Sequence, residues 1–259
     1  MRIASYLMPF FALLAGAAGS YLRMLELWNV FDDKGLPLQS AGISIALLVL
    51  SVALLLVVIV FSILTKVKYT SPQGFENAYG TEPLAYPFVF FVIGLAWLVA
   101  TVKQFFDMNG QGQLPFTEMI FLALSALSAI SVALFAIEVY QDPRRRGKLV
   151  LSVIPTVFMC FWLIRLYREN AANPILLSYA YQCLAIMAST LAFFFTTGYV
   201  YDRPATGKTL FAYFASIYFC FVTLADDHIL FVKLIFIIIM ITNMIYSFML
   251  IRNLQRKEG

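Results

Sequence analysis

Charged residues are scarce in this chain. They make up 12% of its 259 residues, whereas 62% are hydrophobic, and the formal net charge is +4. A soluble domain carries roughly 25% charged residues. The composition therefore argues against a soluble domain and is typical of a protein with several membrane-spanning helices, whose main partner is the lipid bilayer.

Residues that carry chemistry are also few. The chain has a single histidine, so haem ligation by two histidines within it is impossible. No Asp or Glu lies in the middle of an apolar run, which argues against a proton pump with a midplane carboxylate. The three cysteines lie in apolar runs without close spacing, and we interpret them as small buried residues.

Motifs for catalysis and for cofactors are missing as well. The chain contains no phosphate loop, nucleophile elbow or zinc-protease motif. His228 follows Asp226 and Asp227, but consecutive residues at a helix end point in different directions, which argues against a shared metal ion. We therefore predict no catalytic residue, no cofactor and no metal site, and an enzyme is the least favoured class.

Long apolar runs fill most of the chain. They predict an all-α fold in which residues 1–259 form one transmembrane domain of eight helices. The longest loop, over residues 66–84, is punctuated by Pro and Gly. The predicted spans cover about 3–22, 42–64, 85–104, 115–139, 149–167, 174–197, 208–225 and 229–251.

The first apolar run has two interpretations. Arg2 precedes it and residues 15–17 resemble a cleavage site, as in a secretory signal peptide. We favour a retained helix, because small residues continue at helical spacing past that site to Arg23 and Glu26. Such a stripe lets helices approach closely in lipid.

The distribution of Lys and Arg predicts the orientation. Alternate loops collect twelve on one side and six on the other, which places both termini in the cytoplasm. Residues 144–146 are three consecutive arginines on the richer side. Their role as a topology signal is sufficient, so we predict no nucleic-acid partner.

A polar hairpin follows the fifth span. Arg165 and Glu169 lie four apart, as helical ion pairs do, and Asn173-Pro174 is typical of a helix start. The hairpin and two later segments read RLYRENAANPILLSYAYQ, LAFFFTTGYVYDRP and FVTLADDHIL.

These segments resemble a family of uncharacterised eight-span integral membrane proteins of anaerobic Gram-positive bacteria. The resemblance covers mainly residues 160–230. It implies a multi-pass protein of the bacterial plasma membrane with eight helices. It implies no activity, cofactor or catalytic residue.

Charged residues near the ends of the spans cluster on the predicted outer side. Such residues are costly near hydrocarbon and usually face a bundle interior or a wet cavity. We expect the small and polar stripes of the first, fourth, sixth and seventh spans to face one another below this cluster. The predicted ligand-binding residues are Arg23, Glu26, Glu118, Arg165, Arg168, Glu169, Gln182 and Asp227.

Two functions remain open. In the first, the cluster opens an outward-facing polar cavity that binds or transports a small polar solute, as in a permease or a sensor. In the second, the protein is a membrane scaffold or anchor subunit that works through a membrane protein partner or a second copy of itself. The small residues are then packing surfaces, and Gln182 and Asn243 are hydrogen-bonding groups between helices.

Overall fold

The computed structural model describes residues 2–30, 42–80, 85–110, 112, 115–141, 147–171 and 179–256. This part of the chain is helical apart from loops and two short strands, as the apolar runs predict. The elements are α1 (Arg2–Asn29), α2 (Gly42–Lys68), β1 (Tyr69–Thr70), α3 (Phe75–Tyr79), α4 (Ala85–Gly110), α5 (Phe116–Gln141), α6 (Gly147–Asn170), α7 (Ala180–Val200), α8 (Thr206–Thr223), α9 (Leu230–Arg252) and β2 (Gln255–Arg256).

Seven of these helices are long and apolar enough to cross a membrane, in the part of the chain that was described: α1, α2, α4, α5, α6, α7 and α9. Their exposed side chains include many large apolar ones, such as Leu14, Phe88 and Ile164, each at least 60% exposed. Such a surface suits hydrocarbon rather than water. The fold is therefore that of a multi-pass membrane protein in a lipid bilayer.

Helix α8 coincides with the seventh predicted span but is not among those seven helices. It packs against α1, α2, α7 and α9, and fourteen of its 18 residues are buried. A helix surrounded by other helices does not need a continuous apolar surface, because little of it touches lipid. The central position of α8 therefore explains why its mean hydropathy is lower than that of the seven helices named above.

Glycines allow α1 to approach α8 closely. A Cβ atom on Gly16 would lie 2.8 Å from the Cβ of Phe221, and one on Gly19 would lie 2.7 Å from Cγ2 of Val222. The small stripe of the first span thus faces α8, as expected from the sequence.

The predicted spans match the helices, with differences at their ends. Helix α1 continues to Asn29, beyond the predicted end at 22, and α8 stops at Thr223, two residues before the predicted end. The predicted helix start at Asn173-Pro174 lies outside the described residues. The described helix α7 begins at Ala180.

One end of the bundle is closed by the segment between α2 and α4. Strand β1 pairs with β2 in antiparallel fashion, so the end of α2 lies beside the end of α9. Helix α3 buries Phe75, Ala78 and Tyr79, although the sequence indicated only a loop there. The side-chain amide of Asn253, just after α9, donates hydrogen bonds to the carbonyl oxygens of Ala78 and Gly80, both at 3.0 Å.

Candidate functional site

A buried ionic cluster joins α1 to the segment after α8. Arg23 is fully buried, and its Nε donates a hydrogen bond to Oδ1 of Asp226 at 2.7 Å. Its Nη1 donates to Oε2 of Glu26 at 2.7 Å, and its guanidinium carbon lies 5.2 Å from the ring centre of Tyr181. A buried guanidinium needs such partners because its desolvation is costly.

Thr223 and His228 extend this cluster. The Thr223 hydroxyl donates to Oδ2 of Asp226 at 2.9 Å and lies 3.0 Å from Nε2 of His228. His228 lies between α8 and α9, where burial lowers its pKa. The nearby carboxylate of Asp226 opposes this shift, because a negative charge favours the protonated imidazole.

A second ionic group lies where α6 ends beside the start of α5. The Nη2 of Arg165 is 2.6 Å from Oε1 of Glu118, and its Nε donates to Oε1 of Glu169 at 2.6 Å. The guanidinium carbon also lies 4.2 Å from the ring centre of Phe121. The predicted pair between Arg165 and Glu169 is therefore present, and Glu118 joins it from another helix.

A shallow depression of about 140 Å³ opens beside this second group. Arg165, Arg168 and Glu169 line it together with Thr117 and two apolar residues of α6. Arg168 is exposed, so its guanidinium is accessible at the rim. An accessible Arg next to a preformed ion pair is suited to a carboxylate or a phosphate.

Aromatic rings connect the two ionic groups. The ring of Phe121, under Arg165, lies 5.6 Å from that of Trp162, which stacks on Phe236 at 4.9 Å. The ring of Phe236 then lies 6.0 Å from that of His228. Six of the eight predicted residues therefore form two groups on either side of an aromatic layer in the described part of the chain.

Two predicted residues lie apart from these ion pairs. Gln182 is half-buried on α7, and Asp227 is exposed. Helical spacing after Thr223 pointed to Asp227, but α8 ends at Thr223 and the turn that follows brings Asp226 back to Arg23. Sequence reasoning missed Asp226 as the partner of Arg23 because helical spacing does not continue past the end of a helix.

Polar residues follow one face of α8 from this cluster to the other end of the bundle. They recur every three or four residues, and the first and last are 17 residues apart, a rise of about 26 Å along the helix. That distance approaches the roughly 30 Å of a bilayer's hydrocarbon core. The members are Thr206, Thr209, Tyr213, Ser216, Cys220 and Thr223, all of them buried.

Other helices supply hydrogen-bonding partners along this α8 polar column. Ser216 shares a hydrogen bond with Ser189 of α7 at 2.8 Å and accepts one from the amide of Asn243 at 2.7 Å. Tyr213 shares hydrogen bonds with Thr196 and, at 2.8 Å, with Tyr79 of α3. The stripes of the sixth and seventh predicted spans, which correspond to α7 and α8, therefore face each other, as predicted.

The stripe of the fourth predicted span, which corresponds to α5, faces α4 instead. Ser125 on α5 accepts a hydrogen bond from Nε1 of Trp97 at 2.9 Å and shares another with Thr101, both on α4. A Cβ on Gly94 would lie 2.7 Å from the carbonyl oxygen of Ala129. The small residues of α5 thus pack against α4, because Gly94 leaves room there for close approach.

The α8 polar column contains one buried atom without a partner. Asn243 is fully buried, its amide nitrogen donates to Ser216, and its Oδ1 accepts no hydrogen bond in the described part of the structure. Buried polar atoms are normally paired, so this oxygen can accept a hydrogen bond from a small bound molecule.

Among known proteins, no family model, no curated protein and no solved structure matches this chain.

Proposed function

We propose that this membrane protein binds a small polar solute at the end that carries Arg23 and Arg165, and moves or senses it along α8. The α8 polar column carries the proposal. Polar and ionisable groups inside a membrane protein are costly, and they mark solute and ion pathways. Here they lie on the most central helix and continue from a buried ionic cluster, whereas a bilayer anchor needs only an apolar surface.

The residues of the outer end have distinct roles in this proposal. Arg168, at the rim of the depression, offers a planar fork to an anionic group, and Arg165 adds positive charge held in place by Glu118 and Glu169. Asp227 is exposed near the buried cluster and meets a cationic group. Gln182 and Glu26 complete the predicted binding set deeper in the bundle.

A topology of eight spans with both termini in the cytoplasm belongs to the same proposal. Counting α8 gives eight long helices, and the pairing of β1 with β2 supports an even number of crossings between these two strands. Lys66, Lys208 and Arg252 lie at the end that we assign to the cytoplasm. The resemblance noted above adds a bacterial plasma membrane.

Single cysteines test this topology. Gln73→Cys and Asn109→Cys place a thiol at exposed positions on the two predicted sides, in a background without the three native cysteines. Gln73 is preferable to its neighbour Gly74, whose φ of +77° strains any side chain. An impermeant maleimide added to intact cells is expected to label the Asn109→Cys variant alone, and labelling of both variants refutes the map.

A scaffold is the second candidate function. It is favoured by the pairing of Arg165 with two carboxylates of the same chain, which leaves less charge for a ligand, and by the small size of the depression. A charge group of this kind also stabilises helix ends without any ligand. The protein then acts through a partner in the membrane.

A thermal-shift screen separates these two functions. Detergent-purified protein is mixed with amino acids, carboxylates and phosphate esters, because a ligand that binds only the folded state must raise its stability. Arg168→Gln is expected to abolish the shift, while Arg203→Gln, an exposed arginine at the opposite end, retains it. A shift unaffected by Arg168→Gln contradicts the assigned site. No shift, with a reproducible co-purified partner, favours the scaffold.

A further inference from the structure

A second and larger groove lies between α2, α7 and α8, at the opposite end of the bundle from Arg23. Its volume is about 520 Å³, within the roughly 300–1,000 Å³ that small-molecule sites occupy. Most of its lining is apolar. Ile59, Ile63 and Leu191 on this lining are exposed on helices that are long and apolar enough to cross the membrane, so the groove opens toward hydrocarbon.

The groove has a basic end. Lys66, near the end of α2, and Lys208, in the first turn of α8, both line it and both are exposed. Helix α8 begins at Thr206, so the backbone N–H groups of its first turn have no acceptor within the helix and carry partial positive charge. Two ammonium groups and a helix start therefore lie beside an apolar channel.

A residue with a buried, unpaired polar atom also lines this groove. Ser62 lines it, is only 7% exposed, and its hydroxyl has no hydrogen-bond partner in the described part of the structure. Lys66 follows one helical turn later, on the same face of α2. Gly207 keeps α8 close here, because a Cβ atom on it would lie 2.9 Å from the carbonyl oxygen of Ser62.

We propose that this groove binds an anionic phospholipid from the leaflet at the basic end of the bundle. An acyl chain lies along the apolar lining, and the phosphate is held by Lys66, Lys208 and the start of α8. Basic pockets between membrane helices recognise anionic headgroups in this way. A lipid meets both requirements of the site, a long apolar body and a negative head, and the bilayer supplies it at the mouth of the groove.

Lipid-dependent stabilisation tests the proposal. Delipidated full-length protein in neutral detergent is titrated with phosphatidylglycerol or with phosphatidylcholine that has the same acyl chains, and thermal unfolding is followed. We expect phosphatidylglycerol to raise the unfolding temperature at much lower concentration. Equal responses to the two lipids overturn the proposal, because the basic end then recognises no charge.

A pair of charge-matched variants locates the site. Lys66→Gln/Lys208→Gln is expected to weaken the response to phosphatidylglycerol roughly 30-fold, the effect of two basic residues at a membrane surface. Arg203→Gln/Arg252→Gln removes the same charge from exposed residues at the same end that do not line the groove, and is expected to respond like the unmodified protein. Equal weakening of both variants refutes the site in favour of a general surface charge.

Two further measurements exclude other occupants. Inorganic phosphate alone is expected to leave the unfolding temperature unchanged, and a shift that equals the effect of the lipid overturns the lipid assignment in favour of a soluble anion. Leu191→Trp fills the apolar part and keeps both lysines, so it is expected to weaken the lipid response. A dimer in detergent that dissociates on Leu191→Trp, with no lipid effect, assigns the groove to a second copy of the chain.

Discussion

The buried partner of Arg23 offers a sharp test, because its neighbour in sequence serves as a control. Asp226→Asn keeps the shape of the side chain and removes its charge. Arg23 then stays fully buried and keeps its ion pair with Glu26, at 2.7 Å. Removing one partner of a buried ion pair costs about 3–5 kcal/mol, and because Glu26 remains we expect the lower end, about 3 kcal/mol.

Unfolding by a denaturing detergent measures this loss. Asp227→Asn changes an exposed residue, so we expect it to alter the free energy of unfolding by less than about 0.5 kcal/mol. Arg23→Gln with Asp226→Asn should cost less than the sum of the two single changes, because the residues share one interaction. Equal effects of Asp226→Asn and Asp227→Asn would show that Asp226 does not hold Arg23.

Three other changes have defined outcomes. Burial, opposed by Asp226, lowers the pKa of His228 below its ordinary 6.5, so the unfolded chain binds the proton more readily. The free energy of unfolding should therefore fall as pH drops below about 6.5, and His228→Gln should flatten that titration. Gly19→Ala should lower the free energy of unfolding by about 1–3 kcal/mol, because the added methyl group overpacks against α8. Gly42→Ala adds a methyl group at an open position and should not lower the unfolding temperature. Asn243→Leu should change stability by about 1 kcal/mol or less but abolish a solute-dependent thermal shift.

The sequence predicted the helices well, because each long apolar run is a local signal. It also predicted the α8 polar column from Thr209 to Thr223, since residues three or four apart share a face of a helix. The exposed Asp227 was chosen over Asp226 because the same spacing was applied beyond Thr223, where the helix ends. Periodicity carries no information about a turn, so the partner of Arg23 was visible only once the two helices were packed.

Helix α3 and the groove between α2, α7 and α8 were beyond sequence reasoning for a different reason. Five residues are too few for a helical period, and α3 is held by contacts with distant residues such as Tyr246 rather than by its own propensity. The groove combines residues of three helices, of which Lys66 and Lys208 were assigned only to topology. A concave surface of this kind arises from how several helices pack together, which no single stretch of sequence encodes.

The docking of α3 against the end of α9 has a consequence for biosynthesis. Ala78 and its hydrogen-bonding partner Asn253 are 175 residues apart in the chain. At roughly 5–20 residues per second, a ribosome makes Asn253 about 10–35 s after Ala78. For nearly all of that interval the rings of Phe75 and Tyr79 lack Tyr246, so this end of the nascent bundle closes only when α9 has been inserted.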